Sequence, residues 1–140
     1  RRPVVSNTSS SNTSNDAPTN LKAREGVYTG RATNTTNSPA STGDAEVEIT
    51  DTSDLTGSMK MKLKYSDGLC GAGESFGVMD KDTGETSLFG TLTSTGAGCP
   101  DTTWIITTRC TFPDSDTLTC TYRLTVAGQP PQDGRFEVTK

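Results

Sequence analysis

Met59-Lys60-Met61-Lys62-Leu63-Lys64-Tyr65 decides the fold of this chain. Four apolar side chains alternate with three lysines. Successive side chains of a strand point to opposite faces, so this period of two buries Met59, Met61, Leu63 and Tyr65 and leaves the lysines in water. The same rhythm recurs on both sides. Val47 and Ile49 alternate with Glu46 and Glu48. Further on, Trp104, Ile106, Thr108, Cys110 and Phe112 share one face. Leu118, Cys120, Tyr122, Leu124 and Val126 then alternate with Thr119, Thr121, Arg123 and Thr125. Eight strands are expected, over roughly 26–33, 44–51, 55–65, 74–80, 85–94, 102–112, 117–126 and 134–139. Ser and Thr make up 40 of the 140 residues. Threonine is β-branched and suits a pleated, half-exposed strand, which accounts for much of that number. No segment carries a capped, helix-length 3.6 period.

The connections are short and built from turn residues. Asp51-Thr52-Ser53-Asp54, Asp80-Lys81-Asp82-Thr83-Gly84 and the stretch from Ala127 to Asp133 each join neighbouring strands. Pro113-Asp114-Ser115-Asp116 does the same between strands six and seven. A turn centred on Ser115 sets residues whose numbers sum to 230 opposite each other, so Cys110 faces Cys120 and Phe112 faces Leu118. Directly opposed residues are close enough for a disulfide once local twist closes the gap. Cys110–Cys120 is the expected pair, which leaves Cys70–Cys99, both in Gly-rich loops. Strands joined in sequence by hairpins make an up-and-down meander. Eight is the strand number at which such a meander closes around a filled or small-ligand interior, and closure removes the edges that invite aggregation. The expected architecture is therefore all-β, an eight-stranded antiparallel up-and-down barrel over residues 25–140.

A short repeat runs through the strands: apolar, any, Gly, any, apolar. It occurs at Tyr28-Thr-Gly30-Arg-Ala32, Leu55-Thr-Gly57-Ser-Met59 and Leu88-Phe-Gly90-Thr-Leu92, with Cys120 replacing glycine in Leu118-Thr-Cys120-Thr-Tyr122. Glycine inside a strand permits the tight coiling of a small barrel. Over residues 26–139 this rhythm resembles the avidin and lipocalin group of meander barrels, together with small Thr/Gly-rich bacterial envelope lipoprotein domains. The resemblance implies the barrel. It does not carry over a ligand, because avidins wall in biotin with several tryptophans and this chain has one, Trp104.

Residues 1–24 read differently. Ser, Thr, Asn and Asp dominate, and Val4, Val5 and Leu21 are the only large aliphatics. Such a segment buries too little apolar surface to offset its ordering entropy, so it is expected to be a disordered arm or one that packs on a partner subunit. The chain begins at Arg1, as expected for a processed product. A spacer of this composition is compatible with a lipid anchor ahead of it. Sequons at Asn7, Asn12 and Asn34 are expected by chance in a chain so rich in Asn and Thr. No cysteines are spaced as a CxxC pair. Four cysteines in a disulfide framework point to an oxidising compartment, extracellular, periplasmic or at the cell surface.

Composition narrows function more than any motif does. The chain has no histidine, which removes histidine metal sites and Ser-His-Asp or Cys-His catalysis. A net charge of −4 argues against nucleic acid as a partner. No apolar run approaches the roughly 18–20 residues of a membrane-spanning helix. Asp80, Asp82 and Glu85 faintly echo a calcium loop but fit a plain hairpin turn better, and no metal or cofactor is expected. Glu46 and Glu48 face Lys60, Lys62 and Lys64 as a cross-strand charge ladder if strands two and three pair. Glu74, after the loop Cys70-Gly71-Ala72-Gly73, could act as a general base only if desolvated at the barrel mouth, and it has no evident acid or nucleophile beside it. The eight aromatic rings are a modest supply for a core. Trp104, Tyr122 and Tyr28 are the candidates to line an interior ligand site. The expected function is a non-enzymatic structural or interaction module, an accessory subunit with a protein partner. The alternative is a carrier of a small apolar molecule inside the barrel.

Overall fold

The computed structural model describes residues 20–36, 41–66, 72–93 and 102–140. Residues 1–19 of the expected arm and the expected pair Cys70–Cys99 lie outside that set. The strands are β1 (Gly26–Asn34), β2 (Ser41–Ser53), β3 (Ser58–Ser66), β4 (Ala72–Asp80), β5 (Glu85–Thr93), β6 (Thr102–Asp114), β7 (Thr117–Thr125) and β8 (Gln132–Thr139). Each pairs with the next in antiparallel fashion, and β8 pairs with β1, so the sheet closes into the expected barrel.

The period-two reading of the faces holds. Val47, Ile49, Met59, Met61 and Leu63 are all buried, and Trp104, Ile106, Thr108 and Cys110 line the interior from β6. Cys110 sits opposite Cys120 in the β6–β7 register, and the two form a disulfide between residues ten apart in sequence. Closing so short a loop is worth about 2.5–3 kcal/mol on the chain-entropy account. Glu46 and Glu48 lie opposite Lys64 and Lys62, as the charge ladder requires.

Two local expectations are overturned and one is modified. Phe112 faces Leu118, but not alone. The register shifts between Thr111 and Asp114, so Phe112 and Pro113 together oppose Leu118. Pro113 has no N–H to give the ladder, and a bulge is where a strand tolerates that loss. Leu55 does not begin β3. It stands 95% exposed in the turn before it, and Gly57 takes a positive φ of 71° there, so this copy of the glycine repeat is turn chemistry. The boundary of the arm also moves. Leu21–Arg24, assigned to it by composition, form a 3-10 helix whose Leu21 is completely buried.

That helix plugs one end of the barrel. Leu21 N–H donates to Asp54 Oδ1 at 2.9 Å, and the Lys140 ammonium donates to the carbonyl of Ala23 at 2.8 Å. A second bulge, between Thr50 and Ser53 of β2, turns Thr52 toward the helix. There its N–H and hydroxyl both donate to the Glu25 carboxylate, at 3.1 and 2.8 Å. These bonds hold the Glu25 carboxyl below its usual range. Both bulges lie at the plugged end, where the wall must bend around the helix.

Candidate functional site

Two places gather side chains that the core alone does not explain. The first is the interior away from the plug. Leu63, Ser75, Gly90 and Trp104 form one inward row across β3 to β6. Trp104 and Ser75 flank Gly90, where a methyl group would come within 2.6 Å of Ser75 Oγ and 2.1 Å of the Glu74 carbonyl. Thr86 and Thr108 face each other between β5 and β6, and Thr108 in turn faces Tyr122 on β7. The Tyr122 ring lies over Gly134, whose missing side chain makes room for it, and a tilted contact at 6.2 Å joins it to Phe136. Burial, with Tyr65 and Asp133 adding to it, pushes the Tyr122 phenol up to about 12. Asn34 donates through Nδ2 to Gln132 Oε1 at 2.7 Å nearby, so this sequon amide is already engaged.

Three polar atoms in this interior, Ser75 Oγ, Thr86 Oγ1 and Trp104 Nε1, are buried and find no hydrogen-bond partner among the described residues. Leaving a buried donor or acceptor unmade costs roughly 1–3 kcal/mol each. Native interiors rarely accept that, so these atoms mark a chemically unfinished part of the core among the described residues.

Of the three residues expected to line a ligand site, only Trp104 and Tyr122 belong to this region. Tyr28 is at the plugged end. Its hydroxyl donates to the Arg24 carbonyl at 2.6 Å and lies 3.3 Å from the Ser115 carbonyl in the β6–β7 turn. Its ring packs edge-on against Phe112, 6.3 Å between centroids, and Arg24 stacks on Phe112 at 4.4 Å. Trp104 sits near the opposite end of β6. Tyr28 thus closes the barrel floor and cannot share a cavity with the other two.

The second place is outside. Phe76 on β4 pairs with Phe89 on β5, which pairs with Ile105 on β6. All three point into solvent, 55%, 61% and 40% exposed, and Val78, two residues beyond Phe76, is 55% exposed. Phe76 and Phe89 therefore contribute nothing to a core whose supply of rings was already modest. The signal was present in the parity. If Leu88 and Gly90 face inward, Phe89 faces outward, and the inward face read for Trp104 and Ile106 turns Ile105 out in the same way. In β4 the pattern is inverted, with Ser75 and Gly77 inward and Phe76 and Val78 outward.

The carboxylates with conceivable chemistry are occupied by structure. Glu74 is exposed on the outer wall, 4.0 and 3.9 Å from the ammonium groups of Lys62 and Lys64. It is not a desolvated base at the mouth. Asp80 accepts the N–H groups of Asp82 and Thr83, which tightens the β4–β5 turn and holds its carboxyl below the usual range. Lys81 reaches Asp82, and Arg109 holds Glu85. A shallow outer groove of about 820 Å³ runs past Arg109, Arg123 and Arg135, but Asp133 already takes Arg123 through two hydrogen bonds.

Fold and site define a class: a closed, eight-stranded up-and-down barrel, plugged at one end by a short helix, with a polar-spotted interior and an apolar outer stripe. Comparison with protein-family models, curated proteins and solved structures finds no match for this chain.

Proposed function

We propose that this chain is a non-enzymatic module of the secreted or cell-envelope kind, an accessory subunit that docks to protein through the outer wall of β4–β6. The observation that carries the reading is the row Phe76–Phe89–Ile105, large apolar groups in register and in water. Contiguous exposed apolar patches mark interaction surfaces, because each Å² removed from water is worth about 25 cal/mol. The Cys110–Cys120 disulfide supports the oxidising compartment, and the histidine-free composition supports the non-enzymatic reading. A photo-crosslinking residue at Phe76, in the chain expressed in its own host, tests it. Protein adducts are expected there and not at Thr139, an exposed β8 position remote from the row. Equal yields at both positions would reject the docking wall.

A second reading, a carrier of a small molecule inside the barrel, is favoured by the unpartnered Ser75, Thr86 and Trp104 atoms. Such a ligand would set its apolar body against Trp104 and Tyr122 and direct a hydrogen-bonding group at Ser75 and Thr86. Trp104 is the only tryptophan, so its fluorescence reports the site directly. Saturable quenching at micromolar concentrations by one member of a hydrophobic ligand panel is the expected result, and a flat titration across the panel rejects the carrier.

A further inference from the structure

We propose that the barrel interior takes an uncharged molecule bearing a hydrogen-bond acceptor of the carbonyl class, held between Ser75 and Trp104. The inference rests on the carrier reading above and names the chemistry of its cargo.

The observation behind it is a set of buried donors without acceptors. Ser75 is fully buried, and Thr86 and Trp104 are 5% and 4% exposed, yet Ser75 Oγ, Thr86 Oγ1 and Trp104 Nε1 find no partner among the described residues. An indole N–H can only donate, and each hydroxyl has one proton to give. Whatever satisfies Trp104 must therefore bring a lone pair. A pure hydrocarbon brings none and leaves the buried N–H as it stands.

Position narrows the contact to two of the three groups. Ser75 and Trp104 flank Gly90 across β4, β5 and β6. Ser75 Oγ leans over that glycine, 2.6 Å from where its Cβ would stand, and no side chain at position 90 separates the two residues. Thr86 stands nearer the plug, its Oγ1 2.9 Å from the Cβ position of Gly77, and does not belong to the same contact.

The lining sets the charge of the cargo. Among the described residues the buried polar side chains are Ser75, Thr86 and Thr108, and none carries a charge. The cations of the adjoining strands face outward into ion pairs, Lys62 and Lys64 with Glu74 and Arg109 with Glu85. A carboxylate or ammonium drawn inside would lose its hydration with no opposite charge to replace it. A neutral carbonyl surrenders far less water and accepts from both Ser75 and Trp104. Eight strands enclose room for one small ligand at most, which bounds its size.

Calorimetric titration of the full chain with acetophenone, ethylbenzene and benzoate at about pH 8, where benzoate is ionised, tests the proposal. The three share a phenyl ring and nearly the same size, and differ in acceptor and charge. Acetophenone is expected to bind, ethylbenzene at least about 10-fold more weakly, and benzoate with no saturable heat. Ser75→Ala should narrow the ratio between the first two by about 5-fold while leaving ethylbenzene unchanged. Without ligand, the same variant should match or exceed the parent in denaturation midpoint, because it deletes a hydroxyl that has no partner. Trp104→Phe should narrow the ratio likewise, and serves should Ser75→Ala not fold. Equal affinity for acetophenone and ethylbenzene, saturable binding of benzoate, or a ratio unmoved by both variants overturns the neutral-acceptor cargo and leaves the carrier reading standing. A lower midpoint for ligand-free Ser75→Ala overturns it too, since the hydroxyl would then serve the fold. No saturable heat from any of the three removes the inference, and a flat Trp104 fluorescence titration across the hydrophobic panel removes the carrier reading with it.

Discussion

Tyr122 shows how one side chain reports the state of the whole interior. Its ring fills the space left by Gly134, and burial raises its phenol to about 12. An unfolded tyrosine titrates near 10. Between those values the folded chain keeps a proton that the unfolded chain has lost. The associated stability is complete below about pH 10 and disappears as pH rises through 12. Denaturant unfolding at pH 9 and at pH 11.5 should show the parent losing more stability than Tyr122→Phe over that interval. Parallel losses would mean that the phenol is not buried as described. Tyr28, also raised by burial, carries a structural hydrogen bond to Arg24 at the far end of the barrel, so the paired comparison isolates Tyr122.

At the scale of the element, the 3-10 helix does a job out of proportion to its four residues. A helix this short has no independent stability. It persists because Leu21 inserts into the barrel end and because Asp54, Thr52 and Lys140 meet its backbone and the flanking Glu25. The two bulges, in β2 and β6, shape the wall around it. Leu21→Ala removes a fully buried side chain and should cost about 2–4 kcal/mol in urea unfolding. Asp54→Ala removes one tether and should cost about 1 kcal/mol. A Leu21→Ala cost no larger than that of Asp54→Ala would show that the helix rests on the barrel without plugging it.

For the whole molecule, closure between β1 and β8 is the decisive event, since it joins strands from opposite ends of the barrel sequence. Gly30 sits on that seam opposite Val138. A Cβ there would lie 2.0 Å from the Glu137 carbonyl oxygen, so the strands approach only because no side chain intervenes. Gly30→Ala should therefore destabilise the barrel by roughly 2–4 kcal/mol, read from the denaturation midpoint. A neutral result would place the seam further apart than described. The many pairings distant in sequence also explain why stability is distributed around the ring and not held by the disulfide alone. In a closed sheet no strand can leave without exposing both neighbours.

The outward lysines of β3, the inward rows of β6 and β7, the Cys110–Cys120 pairing and the eightfold meander were all legible in the chain itself. Each depends on a period of two or on a hairpin, and both are local. The sequence also contained the parity that exposes Phe89 and Ile105, once their strand neighbours were placed inside. Only the tertiary structure decided which aromatics meet. Tyr28 and Trp104 look equivalent as apolar members of their strands, yet each stands near the start of its strand, and in the closed meander β1 and β6 run in opposite directions, which puts them at opposite ends of the barrel. The same holds for the plugging helix and for Ser75, Thr86 and Trp104, which share one interior only when β4, β5 and β6 curve around it. Alternation says which face a side chain takes. The height it occupies along the axis, and what stands across from it, follow from shear, bulges and ring closure, which are properties of the assembled sheet.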